Sequence, residues 1–189
     1  MTFAVAGSPP RQILFILLVC CVLGAAPASA ADLQDFTGDP AAPPLVLDDL
    51  RDIRHSLEDY RGRVVMVNFW AGWCHPCIQE IPELLKLAQR LADRPFAILA
   101  VNVGEEKRKL SSFGFVRKMK EHMVILRDTD SKAFGQWQGI GLPTTFILDP
   151  GGRIRYEAYG PVNWDADYIV AMLEKLMEAP APAADPSRE

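Results

Sequence analysis

Two cysteines separated by two residues, Cys74 and Cys77, stand between an apolar run, VVMVNF (64–69), and the stretch IQEIPELLKLAQRLA. The run is apolar on both faces, which is the mark of an interior strand. The stretch after the cysteines places Ile78, Ile81, Leu85 and Ala88 at helical spacing, with Leu84 and Leu91 widening the stripe. The pair therefore falls where a strand ends and a helix begins. The first helical turn offers unpaired N–H groups and about half a positive charge, so a thiolate placed there is stabilised and its pKa falls. Two residues of separation span one turn, with the first sulfur at the open end and the second behind it. Thiol–disulfide exchange needs this arrangement: a nucleophile, and a neighbour that resolves the mixed disulfide.

The other two of the four cysteines, Cys20 and Cys21, lie in the apolar run ILFILLVCCVL (13–23). A start carrying only Arg11, that run and Ala28-Ser29-Ala30 read as a secretory signal over residues 1–30, cleaved after Ala30. The rival reading is an uncleaved anchor, although the run is short for a span of about 20 residues. Beyond residue 30 the only cysteines are the CxxC pair. An exported protein stapled for stability carries several spaced pairs, so this lone pair reads as reactive rather than structural. The formal charge of −4 argues against nucleic acid as a partner.

Residues 31–43, rich in Ala, Pro and acids, are expected to form a flexible leader, and residues 179–189 a disordered tail. Between them, residues 44–178 form one domain. LVLDDL (45–50) reads as a short strand, and RDIRHSLEDYRG as a second with a helical turn begun at Ser56. FAILAVNV (96–103) is an interior strand, and EEKRKLSSFGFVRKMKE a helix with Leu110, Phe113 and Val116 inward, weakened at Gly114. MVILRD (123–128) is a strand, SKAFGQWQG a short helix, TTFILD (144–149) a strand, and RIRYEAYG (153–160) an alternating strand. Asn163 is expected to cap a last helix whose stripe is Trp164, Tyr168, Ile169 or Val170, Met172, Leu173 and Leu176. Strands alternating with helices, then a hairpin and a helix, indicate an α/β domain with a mixed central sheet. A CxxC at the mouth of a βα turn in that pattern points to a thioredoxin-like redox site.

Cys74 is the candidate nucleophile, tuned by the helix start, by the Cys77 thiol and by His75 when protonated; Pro76 falls in the first turn, where its missing N–H costs little. A structural zinc needs four ligands, and beyond the pair the chain offers only scattered His55, His75 and His122, so no metal and no cofactor is expected. Leu142-Pro143-Thr144 is either a cis-proline turning the backbone into the site or an ordinary start of a strand. Glu80, three residues after Cys77, faces either the cysteines or solvent. Trp73 reads as a lid on the disulfide, Trp70 as lid or core, and Trp137 as core. His55 and His122 read as surface residues, and 105–109 (EEKRK) as a solvated helix face.

VVMVNFWAGWCHPCIQEIPEL, the later GLPTTFILDPGGRI and the two-strand lead-in before them resemble the exported thioredoxin-like proteins of the TlpA/ResA/CcmG type, over about residues 44–178. The resemblance implies a thioredoxin fold with an N-terminal β-hairpin and an inserted strand–helix unit at residues 97–122. It implies that Cys74 attacks, that Cys77 resolves, and that Pro143 is cis with the Leu142 backbone pairing with an extended substrate segment. In the ResA-like branch an acid lies at the position of Glu80. Asn68 stands where thioredoxin has a buried Asp, so a proton relay from that position is closed. Such proteins reduce disulfides outside the cytoplasm, taking electrons from a membrane thiol donor and passing them to apocytochrome c or metal-assembly proteins. The central His-Pro replaces the acidic or apolar residues of the more reducing members. That leaves two alternatives to a periplasmic reductase: a disulfide-forming oxidase, and a non-enzymatic chaperone holding copper on the two thiolates and His75.

Overall fold

The computed structural model describes Thr2 and residues 33–178. The expected signal segment and the 179–189 tail lie outside the described residues. The strands are β1 (Gln34–Asp35), β2 (Val46–Asp49), β3 (Arg54–Ser56), β4 (Val64–Trp70), β5 (Phe96–Val103), β6 (Val124–Asp128), β7 (Thr144–Leu148) and β8 (Ile154–Tyr159). The helices are α1 (His75–Arg90), α2 (Lys107–Ser112), α3 (Gly114–Met119), α4 (Lys132–Gln136) and α5 (Asp167–Glu178), with a 3₁₀ turn at Leu57–Tyr60. The strands join in one sheet of order β1-β8-β7-β4-β5-β6-β2-β3. β4, β5 and β6 run parallel; β7 lies antiparallel to β4 and β8 antiparallel to β7. This is the thioredoxin fold, with β2–β3 as the added hairpin and β5 to α3 as the inserted unit.

β4 sits at the centre, and all seven of its residues are buried. Strand alternation splits them between two cores. Val64, Met66 and Trp70 face the layer of α1, α3 and α5, whereas Val65, Val67 and Phe69 face a cluster with Leu57, Trp137 and Phe146. Asn68 falls on the α1 face, between Met66 and Trp70, where an apolar residue is otherwise the rule. The ring cluster of Phe69, Phe134, Trp137 and Phe146 has centroids 5.4–6.4 Å apart and closes the opposite side.

Several expectations need correction. The described part of the leader is strapped down: β1 pairs with β8, Phe36 N–H donates to Arg155 at 2.9 Å, and the Phe36 ring packs edge-on against Phe146. An apolar residue among the acids and prolines supplied the anchor. The helix expected over 105–121 is two short helices, because Phe113 adopts extended dihedrals (φ −76°, ψ 119°) before Gly114. Leu110 and Val116 are buried as expected. The last helix begins at Asp167, so Asn163 does not cap it; Trp164 is fully buried in the preceding turn, and Tyr168 is exposed at 63%. His55 is not a surface residue. Its Nδ1 meets the Tyr60 hydroxyl at 2.8 Å and its Nε2 lies 3.6 Å from Asp49.

Candidate active site at the end of the central strand

Parallel pairing of β4 and β5, with Trp70 opposite Asn102, delivers the C-terminal ends of both strands to one edge of the sheet. Antiparallel pairing of Phe69 with Thr144 brings the start of β7 to the same edge. Three segments therefore meet there: the turn 71–74, the exit of β5 at 104–106, and residues 141–143.

Cys74 is the N-cap of α1. It has β-region dihedrals, its N–H donates to the Ala71 carbonyl at 3.1 Å, and its Sγ accepts the Cys77 N–H at 3.3 Å. His75 and Pro76 follow as the first helical residues, where a missing N–H is harmless. Cys74 and Cys77 are joined as a disulfide. Cys77 has no exposure and Cys74 only 5%, while His75 is exposed and Trp73 is 67% exposed. Trp73 therefore stands at the surface beside the cysteines. Trp70, the open alternative, is core and packs edge-on against Phe115.

Glu80 resolves to the inward choice. One turn beyond Cys77, it is 3% exposed and faces the same layer as Asn68. Asn68 Nδ2 donates to its Oε1 at 2.9 Å and also to Thr145 Oγ1 at 2.9 Å, and Trp164 Nε1 donates to its Oε2 at 3.1 Å. Burial drives its pKa up; the hydrogen bonds from Asn68, Trp164 and the Val162 backbone oppose this, and the balance leaves it raised to about 7. A carboxyl that exchanges its proton near neutral pH, one helical turn from a buried sulfur, is suited to taking or giving the proton of a thiol.

The Leu142–Pro143 peptide is cis. Pro143 is buried, Leu142 half-buried, and the Pro143 carbonyl accepts the Gly160 N–H at 2.8 Å while Thr144 Oγ1 donates to Gly141 at 2.7 Å. The β4–β7 register puts Pro143 level with Trp70, at the edge from which the cysteine turn departs. Cys74, Cys77, Glu80 and Pro143 are thus brought to one end of β4.

Two residues of the site carry no obvious sequence signal. Trp164, read as packing, is a hydrogen-bond donor to Glu80. Glu105, read as part of a solvated face, is 3% exposed. Its Oε2 accepts the Gly72 N–H at 2.6 Å and Asn102 Nδ2 at 2.9 Å, and Lys109 Nζ lies 2.8 Å from its Oε1. His122 lies away from these residues in sequence and meets Gln89 at 3.2 Å.

Comparison with known proteins agrees with this geometry. The AhpC/TSA family model matches residues 37–157. The thiol–disulfide oxidoreductase ResA of Bacillus subtilis (strain 168) is 31% identical over 141 residues, covering 74% of this chain and 78% of that protein. The thiol:disulfide interchange protein DsbE of Allochromatium vinosum is 32% identical over 128 residues, covering 66% and 68%. Among solved structures, a secreted thiol-disulfide isomerase from Corynebacterium glutamicum aligns with a TM-score of 0.66 at 21% identity, over 82% of this chain and 96% of that one, which speaks to the fold. A disulfide across the first turn of α1, on a thioredoxin scaffold that ResA and DsbE share in sequence, places the chain in the AhpC/TSA family as a thiol–disulfide oxidoreductase of the ResA/DsbE type.

Proposed function

We propose that the protein works outside the cytoplasm as a protein-disulfide reductase, with Cys74 attacking, Cys77 resolving and Glu80 handling the proton of the resolving thiol. The observation that carries this reading is the buried Glu80, protonating near pH 7 one turn behind the fully buried Cys77. In the reduced protein the Cys74 thiolate attacks one sulfur of a substrate disulfide, forming a mixed disulfide and expelling the other substrate sulfur as a thiolate. Cys77 then loses its proton toward the Glu80 carboxylate, and its sulfur attacks Cys74 Sγ. The Cys74–Cys77 disulfide forms, and the second substrate thiolate leaves. Two electrons pass to the substrate, and a thiol donor on the membrane restores the dithiol. Trp73 at the surface and the Leu142 backbone supply the docking edge for an extended, cysteine-bearing segment. Exported apocytochrome c and metal-assembly factors are substrates of this kind.

The reading is tested by trapping. A Cys77→Ser variant accumulates mixed disulfides through Cys74; trapping by Cys74→Ser instead reverses the two roles. The exposed His75 at the helix start favours the opposite direction of flow, disulfide formation, because it stabilises a thiolate when protonated. The midpoint potential separates the two: a value well above the glutathione range makes the protein an oxidant. Stoichiometric copper on the purified protein, with function intact in Cys77→Ser, would make it a metal carrier instead.

A further inference from the structure

We infer that Glu105 is a positioning residue for Cys74, holding the turn 71–74 in the shape that keeps the nucleophile at the N-cap of α1. The turn is short of internal anchors. Its one closing bond is Cys74 N–H to the Ala71 carbonyl. The Gly72 N–H, in the middle of the turn, is instead claimed from outside by Glu105 Oε2 at 2.6 Å. Glu105 reaches it because β5 runs parallel to β4 and ends beside it, with Gly104 (φ +73°) turning the chain so that residue 105 faces the neighbouring strand's exit.

The carboxylate is itself held on both sides. Asn102, fully buried on β5, donates to Oε2 at 2.9 Å, and Lys109, four residues on and in α2, sits 2.8 Å from Oε1. Burial works against the charge, but the contacts from Lys109, Asn102 and Gly72 outweigh it and hold Glu105 below the ordinary glutamate range. It therefore stays an anion and a strong acceptor at neutral pH. Phe113, from between α2 and α3, covers Gly72 so closely that a Cβ there would overlap its ring. Asn102, Glu105, Lys109 and Phe113 all belong to the inserted unit, which thus clamps the cysteine turn.

The inference rests on Cys74 being the attacking thiol, and the Cys77→Ser trap tests that assignment separately. Its own test is the pH profile of alkylation of the reduced Cys74 by iodoacetamide, in the full-length protein. Loss of the clamp and loss of the charge push this profile in opposite directions. A loosened turn carries Cys74 away from the helix start and raises its apparent pKa. Removing a nearby negative charge lowers it. Glu105→Ala is expected to raise the apparent pKa and slow alkylation at pH 7 by roughly three- to tenfold. Glu105→Gln keeps an acceptor oxygen for Gly72 and is expected to recover the rate to within threefold. Glu105→Asp, which keeps the charge but withdraws it by one methylene, is expected to raise the pKa as Ala does and serves where Ala fails to fold. A profile that is unmoved or lowered in folded Glu105→Ala or Glu105→Asp overturns the inference, as does a Glu105→Gln profile raised as far as that of Ala.

Discussion

Trp164 donates its indole N–H to Oε2 of Glu80 at 3.1 Å, across 84 positions of sequence. The turn before the last helix thereby reaches the buried carboxyl one turn beyond Cys77. The bond favours the charged form of Glu80, so its loss raises the pKa of Glu80 further from its value of about 7. A Trp164→Phe variant is expected to shift the acid limb of the resolving step upward in pH and to lose about 1–2 kcal/mol of stability. Release of substrate from a preformed mixed disulfide, followed from pH 5 to 9, reads the shift. An unmoved profile beside a lowered stability means that Trp164 only packs.

Glu80 also couples stability to pH. Its carboxyl titrates near 4.5 in the unfolded chain and near 7 in the fold. Between those values the native state keeps a proton that the unfolded state has shed. The contribution is complete below pH 4.5 and disappears as pH rises through 7, to an extent on the order of 3 kcal/mol. Urea unfolding of wild type and Glu80→Gln across pH 4–8 should show the difference between the two curves falling over that window. A difference that is flat with pH would mean that Glu80 is not the group responsible.

Gly72 is a glycine because nothing larger fits. A methyl at this position overlaps the Phe113 ring and stands 3.1 Å from Glu105 Oε2. Gly72→Ala is expected to destabilise by about 1–3 kcal/mol. Much of that loss should return when Phe113→Ala is added, giving a coupling energy above about 0.5 kcal/mol in a double-mutant cycle. Strict additivity would show that the two side chains do not collide.

Asp128 is 1% exposed and accepts two N–H groups at the start of α4, from Ala133 at 3.1 Å and Phe134 at 2.8 Å. Asp128→Ala leaves the buried Ala133 N–H and the half-buried Phe134 N–H without this partner and is expected to cost about 2–4 kcal/mol. Asp128→Asn, which keeps one acceptor, should fall roughly midway. Denaturant midpoints at unchanged slope give the numbers; an Asn variant as damaged as Ala would mean that charge, not acceptance, matters here.

The parts of the fold legible in the sequence were those written in hydrophobic period. The run at 64–69 became β4 with one residue added, and the stripe after Cys77 became α1. Period fails where a polar residue is turned inward by its neighbours. EEKRK looks like a solvated helix face because charge runs are usually that, yet its first residue follows Gly104 at the end of a buried parallel strand. A position level with the exit of β4 was the available signal for Glu105, and it can be read only once β4 and β5 are known to be adjacent. Glu80 was undecided for the same reason: helical spacing tells which residues share a face, not whether an Asn68 and a Trp164 await them. Tyr168 erred in the other direction: it lies inside α5, but the buried face of that helix is Ile169, Val170, Leu173 and Leu176, and Tyr168 points away from it.

The sheet's rims have a consequence of their own. Its outermost strands are the two-residue β1 and the three-residue β3. Rims so brief offer an incoming chain hardly any free peptide groups to zip onto. The flanks of the sheet are thereby spared from seeding by other chains.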